Sequence, residues 1–464
     1  MYDVFVISDD VVGEKMAGPG IRAWELSKCL ARHFKVVLAI PEYSSASKNS
    51  TFFENIPFQV VRYSVDDPAL IEKIGQESKI VLFQGYILSK FPSIKELPAC
   101  MICDLYVPFP LENLFVHKWK VPSLKDREFI HQRDLGVFHD QIIHGDHFLC
   151  ANARQRDLFV GSLLCLNRIN PRYLDENPVL DELISIVPFG ISPDPEESEK
   201  GNTLRNRVSG LDENSILLIW GGVLSNWFDP VTLIKAVHLA REKDPRIKLF
   251  FLSTKHPNPL LPEFDMAGKA VKVSGELGLT GTHVFFNPEW VDYDRRGAYF
   301  MEADIGVSIH KVHFETYYSF RTRILDYLKY DLPMICTEGD HLAEFIRGKG
   351  LGMSVRPEDE HELAAAILSL AGEKEWREKI KERIRSQKKK FYWERTCEPL
   401  IRYCRKALAA GRKKNKRPEN GGTFIPALSG RPYSLKGWTK KRFWLLSQKL
   451  PLRLSAKIKR LFRF

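Results

Sequence analysis

Long apolar runs are missing from this 464-residue chain. No window approaches the roughly 18 uncharged apolar residues that a membrane-spanning helix needs, so any contact with a bilayer is expected to be peripheral. The opening MYDVFVISDD lacks a basic leader and an apolar stretch ending in small residues, so it reads as a first core strand and export is not expected. Cysteine is sparse, with eight in all. Cys100 and Cys103 form a C-x-x-C, but they lie in an apolar strand-like run and no second such pair completes a zinc site. His139, His144 and His147 are not spaced i, i+4, and no metal site is expected there. Internal repeats and low-complexity tracts are also absent from the body of the chain, which excludes solenoid and fibrous architectures.

What is present is a globular composition, 44% hydrophobic and 27% charged, at a length that suits two large domains plus an appendage. The net charge of +11 is unevenly placed. Residues 412–464 hold 16 Lys or Arg against the single acid Glu419, so the +15 of the tail leaves −4 on the preceding 411 residues. Within the tail, Leu454, Ile458, Leu461 and Phe462 fall on one helical face among basic residues, and Trp438, Phe443 and Trp444 interleave with Lys440, Lys441 and Arg442. This pattern suits an anionic membrane surface, engaged through residues 431–464, and no nucleic-acid partner is expected.

The body alternates short apolar runs with amphipathic segments, the signature of parallel sheets covered on both faces. One series fills residues 1–190 and a second fills 215–390, with a polar, aperiodic linker expected at 191–214. An aromatic-rich helical segment at 391–410 is expected to return to the first domain, and 411–464 is the basic tail. The fold class is therefore α/β, with two doubly wound, Rossmann-like domains facing a cleft where ligands meet the carboxyl ends of the strands.

Two segments carry chemistry. The first is GPGIRA, residues 18–23, between the first strand and the first helix: Gly18 and Gly20 allow close approach of the backbone, and the helix N-terminus, with Arg22 beyond it, suits a phosphate or polar sugar. The same string fits the dinucleotide fingerprint G-x-G-x-x-A, with Glu42 as a ribose-binding acid, although about nine residues separate it from the strand. The second segment is HKVHFETYYSFRTRILDYLKYDLPMICTEGD, residues 310–340. Its Arg321 and Arg323 are natural partners of a diphosphate, because a guanidinium presents a planar charged fork to phosphate oxygens.

These strings, together with DLYVPFPLENL (104–114), GDHFLCANARQRDLFVGSL (145–163), WGGVLSNWFDPVTLIKA (220–236), FLSTKHPNP (251–259) and WVDYDRRGAYFMEADIGVSIH (290–310), resemble the family-four glycosyltransferases of the GT-B fold over residues 1 to about 405. The resemblance implies a retaining, metal-independent hexosyl transfer, with a nucleoside-diphosphate sugar as donor substrate and no cofactor, the donor lying on the second domain and the acceptor on the first. It implies charge stabilisation of the leaving diphosphate, for which Arg321, Arg323, Lys255 and the N–H groups near Gly221, Gly222 and Gly339 are the candidates. Glu315 is grouped with the two arginines, and Asp104 matches the family's acid at a strand end on the acceptor side. Here His139 or His144 is a second choice. Asp326 matches the second of two acids that the family places eight residues apart; Tyr318 stands at the first, and Glu315 lies three residues before it. The family's Arg and Lys after the first strand of the second domain are replaced near Gly222 and Phe228.

Asn226, Trp227, Asp229, Trp290 and Glu338 complete the expected donor region, with Trp227 and Trp290 at strand ends where they could stack on a base or sugar. The expected acceptor is a glycan or lipid-linked molecule of the cell envelope, and the expected location is the cytoplasm, on the inner face of the membrane. An NAD(P)-dependent oxidoreductase using GPGIRA and a noncatalytic sugar-nucleotide-binding protein are the alternative readings.

Overall fold

A computed structural model describes residues 1–44, 52–193, 203–205, 207–261 and 264–410; the basic tail and its expected amphipathic helix lie outside the described residues. Two parallel sheets organise the chain. The first comprises β1 (Tyr2–Ile7), β2 (Val36–Pro41), β3 (Gln59–Tyr63), β4 (Ser78–Gln84), β5 (Cys100–Asp104), β6 (His147–Cys150) and β7 (Ile184–Ile186), in the order β3-β2-β1-β4-β5-β6-β7. The second comprises β8 (Ile216–Trp220), β9 (Ile247–Phe251), β10 (Val284–Phe286), β11 (Ile305–Ser308), β12 (Met334–Thr337) and β13 (Gly352–Val355), in the order β10-β9-β8-β11-β12-β13.

Strands such as ILLIW in β8 are buried along their whole length because helices cover both faces of the sheet, which is why they read as continuous apolar runs and not as alternating ones. Each sheet reverses its strand order once, between β1 and β4 and between β8 and β11. Such a reversal opens a crevice at the carboxyl ends of the strands, where the two domains face each other.

After β7 comes the stretch expected as an aperiodic linker at 191–214. From residue 203 it is fastened to the second domain: the Glu302 carboxylate accepts the backbone N–H groups of Thr203, Leu204 and Arg205, and Leu204 and Leu211 are buried. One acid gathering three consecutive N–H groups orders a stretch that has no periodicity to announce it.

At the far end the chain crosses back to the first domain. Ile191 pairs with the backbone of Phe391 and Trp393, and Trp393 is buried. The Glu398–Ala409 helix then lies on the first sheet, where Tyr403 stacks on His147 at 3.7 Å and Lys406 pairs with Glu182 at 2.8 Å. No helix among the described residues is long and apolar enough to cross a membrane.

Candidate active site

The GPG turn and the FRTR segment meet at the domain boundary. A Cβ on Gly18 would lie 3.7 Å from the Tyr106 hydroxyl of its own domain and 3.9 Å from Thr322 Oγ1 of the other. Gly20 serves packing within the first domain, since a Cβ there would sit 1.9 Å from the Val11 carbonyl oxygen and only glycine lets the first helix press onto the loop that follows β1. Several hydrogen bonds hold the two halves together around this point. Gln155 Nε2 donates to the carbonyls of Tyr106 (2.8 Å) and Tyr318 (2.9 Å), Asn258 Nδ2 donates to Asp10 (2.6 Å), and Tyr293 reaches the first domain through its N–H to Glu14 O (2.7 Å) and its hydroxyl to Glu25 (3.1 Å).

Arg321 and Arg323 sit on the second domain's side of this junction, and they are not equivalent. Arg321 donates to both oxygens of Glu315, at 2.8 and 3.3 Å, and both residues are buried. Arg323 is 8% exposed and makes no ion pair among the described residues. Its guanidinium lies 3.9 Å from the Phe228 ring and 4.2 Å from the Trp220 ring, one nitrogen reaches the Val223 carbonyl at 3.4 Å, and Nη1 has no hydrogen-bond partner. Burial, with the like charge of Arg321 beside it, pulls its acid constant down to about 9.

Several other expected ligand groups are committed to the protein itself. Arg22, fully buried, forms a two-pronged pair with Asp104 (2.5 and 3.0 Å), donates to Val187 O at 2.9 Å and rests on the rings of Tyr106 and Phe189. Arg22 and Asp104, expected at the acceptor side, thus tie together the first helix, β5 and the end of the first domain. Asp229 caps the Pro230–Arg241 helix, accepting from the Thr232 N–H at 3.1 Å and its hydroxyl at 2.6 Å. Asn226 Oδ1 accepts the Met266 N–H at 3.1 Å. The Gly221 N–H goes to the Tyr327 hydroxyl at 3.0 Å, so it is not free for a phosphate, whereas Gly222, at φ +92°, faces open space.

Asp326 lines an interdomain cavity of about 510 Å³ together with Gly18, Tyr293 and Arg296. Its carboxylate pairs with Arg296 at 2.9 Å, and Arg296 lies over the Tyr293 ring at 4.5 Å. Burial raises the Asp326 acid constant, with Arg296 opposing. A second cavity of about 420 Å³ lies beyond His310 and His313, where Gly339 (φ +116°) and Glu338 contribute to the wall. Here Glu338 pairs with Arg347 at 3.0 Å and the Gly339 carbonyl accepts from Arg154 at 2.9 Å.

The aromatic and basic candidates at the rim are dispersed. Trp227 packs on Phe264 and its carbonyl meets His313 Nε2 at 3.1 Å; Trp290 stands beside His256 at 5.8 Å; Lys255 is exposed after β9. Glu42 accepts from the Ser64 hydroxyl at 3.1 Å on the far side of β2. His139 and His144 lie on the Leu124–His144 helix, and His147 is buried under Tyr403. Burial pushes the Cys100 thiol up to about 12 and raises Cys103 well above its ordinary range, as inert packed thiols require. Among the described residues no group of three His, Cys, Asp or Glu could hold a metal ion.

Five residues around this junction are not evident from the sequence. Tyr327 is a hub whose hydroxyl lies 2.7 Å from Val307 O and 3.1 Å from Ile219 O as well as receiving Gly221. Tyr293 with Arg296 bridges to Asp326, and buried His310 faces Asp340 at 3.3 Å. The fifth is Glu112, in the first turn of the Phe109–Lys120 helix. It lies inside a string that carries the family resemblance, and an acid following DLYVPFP at a helix start is the signal that could have found it.

No protein-family profile matches the chain, and no curated protein sequence matches it. Solved structures do. Sucrose-phosphate synthase from Thermosynechococcus elongatus superposes with a TM-score of 0.61 at 16% identity, covering 89% of this chain and 100% of that one. The Anabaena protein HepE in complex with UDP-glucose gives 0.61 at 12% identity over 89% and 100%. WaaG, a glycosyltransferase involved in lipopolysaccharide biosynthesis, gives 0.54 at 12% identity over 86% and 98%. Similarity this low in sequence and this complete in coverage is similarity of architecture: two facing Rossmann-like domains with the chain crossing back at its end, which is the GT-B fold of glycosyltransferases.

Proposed function

We propose that this chain is a glycosyltransferase that moves a sugar, with retention of configuration and without a catalytic metal, from a nucleoside-diphosphate sugar to a glycan or lipid-linked acceptor of the cell envelope. The observation that carries the proposal is Arg323: a buried guanidinium without a carboxylate, beside the open Gly222 turn, at the point where the GPG turn of the other domain approaches. A protein tolerates an unpaired buried cation where a ligand supplies the anion. The fold neighbour HepE binds UDP-glucose, which makes a diphosphate-linked sugar the natural first ligand to try.

The chemistry follows from the charges. As the bond from the anomeric carbon to the diphosphate oxygen lengthens, positive charge grows on the sugar and negative charge on the leaving group. Arg323, with Arg321 adjacent, stabilises the latter in a site where burial keeps both guanidinium groups from water. Glu315 keeps Arg321 aimed, and Asp326 with Arg296 borders the interdomain cavity proposed for the nucleoside. Asp104 and Arg22 act by holding the first domain's wall.

The envelope acceptor is proposed with the fold neighbour WaaG in view, itself involved in lipopolysaccharide synthesis. Attachment to an anionic inner membrane surface through residues 431–464, and hence a cytoplasmic peripheral location, rests on the composition of that tail. The dinucleotide reading of GPGIRA is not favoured: Arg22 is locked to Asp104, and Gly18 packs between Tyr106 of its own domain and Thr322 of the other.

Calorimetric titration with UDP, ADP, GDP and NAD(P) is the test of the donor class, followed by turnover of a sugar-nucleotide panel in the presence and absence of EDTA and assignment of the product anomer by NMR. Binding of a nucleoside diphosphate that is lost in Arg323→Ala supports the reading. Binding of NAD(P) alone, or nucleoside-diphosphate binding indifferent to Arg323, overturns it. Sedimentation with anionic vesicles, compared between the full chain and a chain ending at residue 430, tests the tail.

A further inference from the structure

The segment that leads to the two arginines is held from the other domain. The Phe314–Tyr318 helix is only five residues long, and the last carbonyls of a helix have no partner within it. Those of Tyr317 and Tyr318, and that of Ser319 just beyond, are met by side chains of the first domain. Arg154 Nη1 donates to Tyr317 O at 3.2 Å, Gln155 Nε2 to Tyr318 O at 2.9 Å and Asn152 Nδ2 to Ser319 O at 3.4 Å. Phe320 follows and stacks on Phe189 of the first domain, with ring centroids 6.3 Å apart. Arg321 comes next, and Arg323 two residues later.

All three donors lie within residues 152–155, where the Ala153–Cys165 helix begins. Asn152 and Gln155 are buried, and each uses its amide oxygen inside its own domain and its amide nitrogen across the boundary. The Asn152 oxygen caps the helix by accepting the Gln155 N–H at 2.9 Å, and the Gln155 oxygen accepts the Ala151 N–H at 2.8 Å. Gln155 Nε2 is shared with Tyr106 O at 2.8 Å, so one amide joins the second domain's segment to the strand-end residue beside Gly18. Arg154 extends the grip to the loop after β12: it donates to Gly339 O at 2.9 Å, pairs with Glu344 at 2.5 Å and lies over the Tyr317 ring at 4.1 Å. Amides bonded at both ends have one orientation available, so three successive carbonyls of one domain are held in register with one helix of the other.

We infer that Asn152, Arg154 and Gln155 are positioning residues for the diphosphate site: by holding the carbonyls of residues 317–319 they set where Arg321 and Arg323 stand. They touch no substrate and act through the two arginines. Within the second domain, Arg321 is tied to Glu315 of the same short helix, a bond that travels with the segment and does not locate it. Arg323 has one long hydrogen bond, to Val223 O at 3.4 Å. The first domain's donors supply the outside reference, and a displacement of about 1 Å in such a group is enough to cost on the order of 10²-fold in rate. This assignment rests on the glycosyltransferase reading and adds to it the residues that align its cations.

The experiment compares the full wild-type chain with Gln155→Met and Arg154→Met. Calorimetry measures affinity for a nucleoside diphosphate, whichever of UDP, ADP and GDP the wild type binds, and for the corresponding monophosphate; donor turnover and thermal stability are measured beside it. The expected result is that Gln155→Met loses roughly 10–100-fold in diphosphate affinity, keeps its monophosphate affinity within a few-fold, and loses at least as much in turnover as in diphosphate affinity. Arg154→Met moves in the same direction. A merely structural role would lower both affinities together, or lower stability alone. The inference is overturned if both variants bind the diphosphate within a few-fold of the wild type, or if mono- and diphosphate affinities fall by the same factor. Should Gln155→Met fail to fold, Arg154→Met, at the edge of the contact, decides by the same two criteria. Failure of the wild type to bind any of the three diphosphates would sink the glycosyltransferase reading instead, and is a distinct outcome.

Discussion

Replacing Arg323 with methionine is expected to make the protein more stable and inactive. The wild-type guanidinium is buried against Trp220 and Phe228 with no counter-ion among the described residues, and burial lowers its acid constant to about 9. At about 1.4 kcal/mol per factor of ten in proton affinity, that drop corresponds to a folding cost of roughly 4–5 kcal/mol as an upper bound. The sign follows from a base whose folded value is depressed: the cost is fully present at all pH values below about 9 and is relieved only as pH rises through that value toward the ordinary one. Against it stand two aromatic contacts worth roughly 1 kcal/mol each, which methionine replaces only in part. The net gain on substitution is therefore about 2–3 kcal/mol, or roughly 5–10 °C in the melting of a domain of this size. Differential scanning calorimetry without ligand reads the gain, and the same scan with saturating UDP reads the converse: the wild type is stabilised as the anion supplies the missing charge, and Arg323→Met is not. Turnover is expected to fall by on the order of 10²–10³. An Arg323→Met protein that melts below the wild type, or still shifts with UDP, would refute the argument that this cation waits for an anion.

Other consequences are read more quickly. Asp104→Asn and Arg22→Met are each expected to destabilise by about 3–5 kcal/mol, because each leaves a buried partner uncompensated, while the combination Arg22→Met with Asp104→Leu recovers much of the loss; urea titration checks all three. Gly20→Ala, whose Cβ would run into the Val11 carbonyl, is expected to lower the unfolding midpoint by the equivalent of roughly 1–3 kcal/mol and to weaken donor binding by displacing the loop after β1. Tyr327→Phe strips Gly221 N–H, Val307 O and Ile219 O of their common partner and is expected to cost about 1–3 kcal/mol by thermal denaturation. His147, fully buried under Tyr403, has its acid constant pushed down to about 4 by desolvation, so the unfolded chain binds a proton that the native one refuses. Stability is expected to fall as pH drops from 6.5 toward 4 and to level off below, by up to roughly 3 kcal/mol from this residue, and a His147→Phe protein should lose that slope in denaturation curves taken at pH 7, 5.5 and 4.5.

The sheets were legible because their strands are buried on both faces. Val4–Ile7, Ile216–Trp220 and Ile305–Ser308 are apolar runs too short for helices and too regular in their alternation with amphipathic segments to be loops. That two doubly wound sheets face a cleft was legible in outline from the same alternation. What could not be read was which polar groups find each other at long range. Arg22 and Asp104 are 82 residues apart, and nothing in the local sequence shows that they pair. Glu302 orders residues 203–205 from about a hundred positions away. Asp229 is a different case: an acid followed by Pro230 and, at the third position, by Thr232 is a helix start, and that signal is present in the local sequence alone.

The missing Arg and Lys after β8 then acquire a physical explanation. In their place stand Gly222 and Phe228, and the space is crossed by Arg323, which reaches the Val223 carbonyl and lies on Phe228. Under the proposed function, this cation from the β11–β12 connection supplies the charge from a different position in the chain. Glu315 fits the same logic. It stands three residues from where the family places an acid, and in the structure its carboxylate belongs to Arg321, leaving Arg323 as the uncompensated charge. If the shift were a loss of function, both arginines would be expected to find carboxylates or solvent. Only one has found a carboxylate, and the other is held dry on two aromatic rings at the mouth of the cleft, a state that costs stability and that the binding of a diphosphate would reverse.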